Sequence, residues 1–200
     1  MTRDIDETFA SVKDGIRSKD RVKNLAEVFT AEREVKAMLD LIGDPSYAIE
    51  TTYLEPACGN GNFLVEILGR KCVTIKSRYA RDGDGRRAQV DILRSIATIS
   101  AIDISPGNVS EARARMLALT ENFYREILSA DPPDAFSRLC ASIFERKIVV
   151  GDFLERVGTL HDIRIADDLS ITCRPHRLRD LMPPPPPPAH KKRPRKRGRP

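Results

Sequence analysis

Three acids end three apolar, β-prone runs. Glu55 closes "TTYLE", Asp103 closes "SAID", and Asp152 follows "KIVVG". After the first acid comes "PACGNG", which places Gly59 and Gly61 one residue apart, and then a helical pattern. Carboxylates accept hydrogen bonds from hydroxyl and amino groups and tolerate a nearby positive charge. Two close glycines let backbone approach a ligand. The turn does not suit a phosphate. Gly59-Asn60-Gly61-Asn62-Phe63-Leu64 lacks the third glycine of a dinucleotide turn, and no Gly-Lys-Ser/Thr follows it. What fits is a ligand with a cationic centre, an amine and ribose hydroxyls. S-adenosyl-L-methionine has all three.

The other reactive side chains point elsewhere. His161, His176 and His190 share no ligand spacing, so no metal is expected. Cys58, Cys72, Cys140 and Cys173 form no CxxC pair, which argues against a disulfide framework and suits a reducing, cytoplasmic setting. Cys58 has no histidine near it in sequence and reads as a small residue packed at a strand end.

These acids need a scaffold. The chain has 200 residues, enough for one domain with a core, and its 40% hydrophobic and 32% charged content is ordinary for a globular protein. No apolar run approaches the ~20 residues of a membrane helix, and the N-terminus has no apolar signal core. Four parts follow from the pattern: a polar segment over 1–22, an α/β-patterned body over 23–156, an irregular segment over 157–182, and a tail over 183–200 of six prolines and a basic run. The net charge of +5 is uneven. Seven Lys and Arg sit in the last twelve residues with no acid, so the remainder carries −2.

In the body, "VFTAEREVKAMLDLIGD" predicts a helix with Thr30 as N-cap, Val35, Met38, Leu39 and Ile42 on one face, and Gly43 as its end. "NFLVEILGR" predicts a helix closed at Gly69, and "RDGDGRR" a loop. "AQVDILRSIATI" and "PPDAFSRLCASIFER" predict helices, and Val109, Ala112, Met116, Leu119, Phe123 and Ile127 form the core stripe of another. Strands alternating with helices imply a parallel sheet with right-handed crossovers, and ligands bind such sheets outside the strands' carboxyl ends.

With these motifs in place, the chain resembles the adenine-N6-specific DNA methyltransferases of restriction-modification systems. "LEPACGNGNFL" is similar to that family's first cofactor motif, "AEVFTAEREVKAMLDL" to its N-terminal cofactor-contacting motif, "AIDISPGNV" to its second and "IVVGDFL" to its third. The likeness covers about Lys23 to Leu154. It implies a Rossmann-like S-adenosyl-L-methionine fold with its sheet incomplete. It also implies roles. Thr30 and nearby backbone touch the methionine end of the cofactor. Glu55, Pro56, Ala57, Gly59 and Gly61 cradle the methionine moiety. Asp103 takes the ribose hydroxyls, with Ile104 against the adenine. Asp152 accepts from the adenine amino group beside Phe153. Ala31 stands where the family usually has proline.

One family element is missing. Adenine methylation in this family uses an Asn/Asp/Ser-Pro-Pro-aromatic loop after the third motif, to hold and stack the flipped base. Asp131-Pro132-Pro133 is followed by Asp134 rather than an aromatic, lies before the third motif, and reads as a helix–helix turn. "LMPPPPPP" has no polar residue before its prolines and no aromatic after them. The expectation is a cofactor-binding portion that does not methylate DNA alone and works with a second polypeptide supplying the catalytic and target-recognition half.

The tail, "KRPRKRGRP", resembles an AT-hook, which implies that Arg195, Arg197, Gly198 and Arg199 enter the A·T minor groove and carry the chain to the nucleoid. A general polybasic tail is the plainer alternative. The composition after about Leu160 is also what a shifted reading frame in a GC-rich gene yields. Two rival functions stand beside the methyltransferase: a non-catalytic DNA-binding protein acting through the tail, and a methyltransferase for small molecules or RNA.

Overall fold

The structure, a computed structural model, describes residues 30–181. It is an α/β unit with a three-stranded parallel sheet, joined to an antiparallel hairpin. Helix α1 (Glu32–Asp40) and a 3-10 turn (Asp44–Tyr47) precede β1 (Tyr53–Glu55). Helices α2 (Asn62–Asp82) and α3 (Gly85–Ala97) lead to β2 (Ile99–Asp103), and α4 (Pro106–Leu128) and α5 (Asp134–Lys147) lead to β3 (Ile148–Val150). Strands β4 (Thr159–Ile165) and β5 (Ile171–Arg177) and the short α6 (Leu178–Leu181) follow.

Strand order is β1-β2-β3, with Leu54 opposite Ser100 and Ile102 opposite Val149. Both crossovers step in the same direction, so right-handed connections put their helices on one face. On that face Tyr53, Ile99, Ala101 and Ile148 pack with Leu64, Leu68, Ile92, Met116 and Phe144. The α4 stripe from Val109 to Ile127 is buried as its 3.6-residue spacing requires. The second face is thinly covered. Ile102 and Val149 meet Leu160, Leu178 and Phe153 there, while Leu54, at the β1 side, stays 48% exposed.

Several local expectations change. Ala31, not Thr30, is the N-cap of α1, and its N–H donates to the Glu34 carboxylate at 3.0 Å. Val35 and Leu39 are buried, but Met38 and Ile42 are exposed. The second helix does not close at Gly69. That glycine is buried mid-helix, and α2 runs three further turns to Asp82 because Lys71, Cys72 and Ile75 continue its inner face. "RDGDGRR" is hardly a loop: Gly83 ends α2 at φ 67°, and Asp84 caps α3 by accepting from the Arg87 N–H. The 157–182 segment, expected to be irregular, forms the hairpin. Its Ile163 and Ile165 join the main core, and Arg94 Nε donates to the Ile165 carbonyl at 2.9 Å. The Ala166 N–H to Ser170 carbonyl bond and the Leu178 N–H to Gly158 carbonyl bond set the phase of the ladder. That phase leaves Pro175, opposite His161, with its nitrogen on the outer edge, where a missing donor costs nothing. The 1–29 segment and the tail lie outside the described residues.

Two buried cations of α2 tie it to its neighbours, Arg70 to α1 and the 3-10 turn and Lys71 to the starts of the strands. Arg70 reaches Asp40 at 2.7 Å, the Lys36 carbonyl at 3.0 Å and Ser46 Oγ at 3.1 Å. Lys71, fully buried, donates to the Ile49 and Thr51 carbonyls at 2.8 and 2.6 Å and to Thr98 Oγ1 at 2.7 Å, over the Tyr53 ring. It thereby pins the starts of β1 and β2. Gly151 is needed for a different reason: an added Cβ would lie 2.5 Å from the Val157 carbonyl oxygen.

Burial pushes the Lys71 ammonium from 10.5 down to about 8. The unfolded chain therefore binds more protons between those values, and the Lys71 contribution to stability rises with pH across that window by roughly 1.4 kcal/mol per unit. Urea unfolding from pH 7.5 to 10 should show wild type gaining stability relative to Lys71→Met as pH rises; a constant difference contradicts this. Gly151→Ala should lower stability by about 1–3 kcal/mol, read from the urea midpoint.

Candidate functional site

The carboxyl ends of the three strands are sewn together by backbone. The Cys58 N–H donates to the Ile102 carbonyl at 2.9 Å, and the Gly151 N–H to the Asp103 carbonyl at 3.0 Å. Between β1 and α2 the chain turns through Gly59 at φ 52° and Gly61 at φ 92°, a region where other residues are strained. A Cβ on Gly61 would also lie 3.1 Å from the Ala112 Cβ, so the start of α2 sits close against α4.

Asp103 holds this turn. Its Oδ2 accepts from the Gly59 N–H at 2.8 Å, and its Oδ1 from the Ser105 N–H at 2.8 Å and Asn108 Nδ2 at 3.2 Å. A carboxylate has about four lone-pair sites, so about one remains for a ligand hydroxyl unless Asn108 gives way. Glu55 Oε1 accepts from the Ala57 N–H at 3.1 Å, and Asp152 Oδ1 from the Glu155 N–H at 2.9 Å. Among the described residues, none of these three carboxylates forms an ion pair, although fourteen ion pairs form elsewhere. Pro56 and Ala57 are exposed. Ile104 is 66% exposed beside Asp103, an apolar side chain left uncovered at the crevice. Phe153 is half-buried and packs under the sheet with Ile102 rather than standing free.

Thr30 meets the site through its backbone. Its carbonyl accepts from Asn62 Nδ2 at 3.1 Å. Asn62 Oδ1 in turn accepts from Arg115 at 2.9 Å, which also reaches the Asn60 carbonyl at 2.7 Å. Asn60 Nδ2 donates to Glu111 at 3.1 Å. Sequence reasoning missed this frame of Asn60, Asn62, Asn108, Glu111 and Arg115. The alternating asparagines of "GNGN" were its signal. The structure thus gathers Glu55, Gly59, Gly61, Asp103, Ile104 and Asp152, with the Thr30 backbone near. Arg195, Arg197, Gly198 and Arg199 lie outside the described residues.

Cys58 is buried, and burial with the Asp103 and Glu55 carboxylates pushes its thiol up to about 12, which removes it as a nucleophile. Asp131-Pro132-Pro133 is the exposed connection between α4 and α5, with Asp131 paired to Arg125 at 2.8 Å. Among the described residues no group of three His, Cys, Asp or Glu is placed to hold a metal, and no helix is long and apolar enough to cross a membrane.

Of the four thiols, only Cys173 is exposed. Ellman's reagent should therefore titrate one thiol quickly in the native chain and four after denaturation; fast native reaction of Cys58 would contradict the buried turn.

No protein-family model, no curated protein and no solved structure matches the chain.

Proposed function

We propose that this chain is the cofactor-binding portion of an S-adenosyl-L-methionine-dependent adenine-N6 DNA methyltransferase of the restriction-modification type. The observation that carries the reading is the placement of Glu55, Asp103 and Asp152 at or just beyond the carboxyl ends of three adjacent strands, with Asp103 bonded to the Gly59–Gly61 turn and no described cation paired to the three acids. Uncompensated carboxylates at strand ends suit a ligand that brings its own positive charge and hydroxyl donors. The cofactor, when bound, supplies an electrophilic methyl group.

The residues present fit it. Asp103 offers about one free acceptor site to a ribose hydroxyl. Exposed Ile104 offers the adenine an apolar surface. Glu55 and the glycine turn face the methionine end, and Asp152 accepts from the adenine amino group. The helix α2 begins directly after the turn, which brings its unpaired N–H groups near the cofactor carboxylate.

No Asn/Asp/Ser-Pro-Pro-aromatic loop follows the third strand within residues 1–200, so in this reading a flipped adenine is held in line with the methyl by residues from outside this sequence. The sheet supports the same reading. Parallel sheets are covered on both faces, whereas the β1 side of this one leaves Leu54 half-exposed on the second face. A separate polypeptide that carries the loop would cover that side. The basic tail, with seven Lys and Arg, would hold DNA near the site.

Calorimetric titration of the full chain tests the cofactor. Saturable binding is expected, lost in Asp103→Ala and weakened at least tenfold in Asp152→Ala, whose side chain holds no part of the Gly59 turn. Methyl transfer to DNA by the chain alone should stay at background. Absence of binding by a folded chain would sink the reading. It would favour a DNA-binding protein that acts through the tail, whose DNA affinity should vanish when residues 183–200 are removed.

A further inference from the structure

A second cleft lies at the opposite end of the sheet. It has a volume of about 520 Å³ and is walled by Arg78 of α2, by Arg86, Arg87, Val90 and Arg94 of α3, and by Asp167 of the β4–β5 turn. Glu50, three residues before β1, also lines it. Arg94 lies on the helix that runs into the start of β2. The cleft is therefore on the amino side of the strands, away from Glu55 and Asp103, and its chemistry is separate from the proposed methyltransferase site.

Four arginines and four acids line the cleft, but they are not equally engaged. Asp91 is buried and spent on Arg78 at 3.1 Å, with Glu50 of the rim 3.9 Å from the same arginine. The Asp84 carboxylate is spent on the N-cap of α3. Arg87 meets only Asp82, at 3.7 Å. Arg94 meets Asp167 at 3.0 Å, and that aspartate is 94% exposed on a turn. Arg86 has no ion-pair partner among the described residues. Arg86, Arg87 and Arg94 thus share the cleft with the exposed carboxylates of Glu50, Asp84 and Asp167, of which Asp167 is the one paired to Arg94 and displaceable from it. After the Ser170 hydrogen bonds, Arg86 also helps to lower the Asp168 carboxyl pKa.

Arg86 and Arg87 occupy the first turn of α3, beside the Asp84 carboxylate of its N-cap. Asp84 offsets part of the repulsion between these cations and the positive end of the helix, and a further anion between them would be favourable. Arginines beside a cavity of ligand size suit an anion.

We propose that this cleft binds the phosphate group of a small phosphorylated molecule of nucleotide size, with Asp167 acting as an internal competitor that the phosphate displaces from Arg94. The planar guanidinium forks of Arg86, Arg87 and Arg94 suit bidentate contact with phosphate oxygens.

The test uses the full chain, with adenosine 5′-monophosphate, inorganic phosphate and a short DNA duplex as separate probes in calorimetric titrations. The nucleotide should bind saturably. Arg86→Gln combined with Arg87→Gln, neither of which carries a fold contact beyond the weak Asp82 pair, should weaken it about tenfold or more. Asp167→Asn should tighten it several-fold. Inorganic phosphate alone should bind more weakly and respond to the same variants, because it shares the anion and lacks the base. Binding of DNA that is indifferent to all three changes belongs to the basic tail. The proposal is overturned if nucleotide binding is absent, if it ignores the arginine pair, or if Asp167→Asn weakens it.

Discussion

The bond between the Asp103 carboxylate and the Gly59 N–H, 2.8 Å long, is the constraint on which the carboxyl end of the sheet depends. The same side chain braces the start of α4 by accepting from the N–H of its N-cap Ser105 and from Asn108 Nδ2, and the Asp103 carbonyl accepts from the Gly151 N–H just after the third strand. One residue therefore fixes the β1–α2 turn, the end of β2, the start of α4 and the end of β3. The left-handed glycines set the path of the turn, and Asp103 holds it in place. This explains how three acids far apart in sequence come to one place. It also means that Asp103 is both scaffold and candidate ligand contact, so its removal reports on both.

The opposite end of the sheet is held by different physics. Lys71 is desolvated, yet it points three donors at two carbonyls and a hydroxyl where β1 and β2 begin. Burying such a charge is tolerated because each N–H finds an acceptor. Among the described residues the helices sit on one face, the hairpin partly covers the other, and no strand pairs with the outer edge of β1.

Much of this was legible in the sequence, and the reasons differ by element. The three strands were visible because each apolar run ended in an acid or a glycine. The α4 stripe was visible because six buried positions kept helical spacing over five turns. The length of α2 was hidden, because a mid-helix glycine reads as a stop and a buried lysine reads as surface. The hairpin was hidden because β5 is exposed on nearly every residue and carries Pro175, so no alternation marks it as a strand. The strand-end acids could be picked out singly. The asparagine and arginine frame around them could not, since Arg115 sits more than fifty positions from the asparagines it braces.

The two ends of the sheet differ in charge: Glu55, Asp103 and Asp152 stand unpaired by any described cation at the carboxyl end, while Arg78, Arg86, Arg87 and Arg94 mix with acids at the amino end. The central claim concerns the carboxyl end. The most direct measurement is a residue-resolved amide titration of the isotope-labelled full chain with S-adenosyl-L-methionine. The account requires saturable shifts centred on Gly59, Gly61, Ile104 and Asp152, with Arg86 and Arg94 unmoved. Shifts confined to other regions, or none at saturating cofactor in a folded chain, would contradict it.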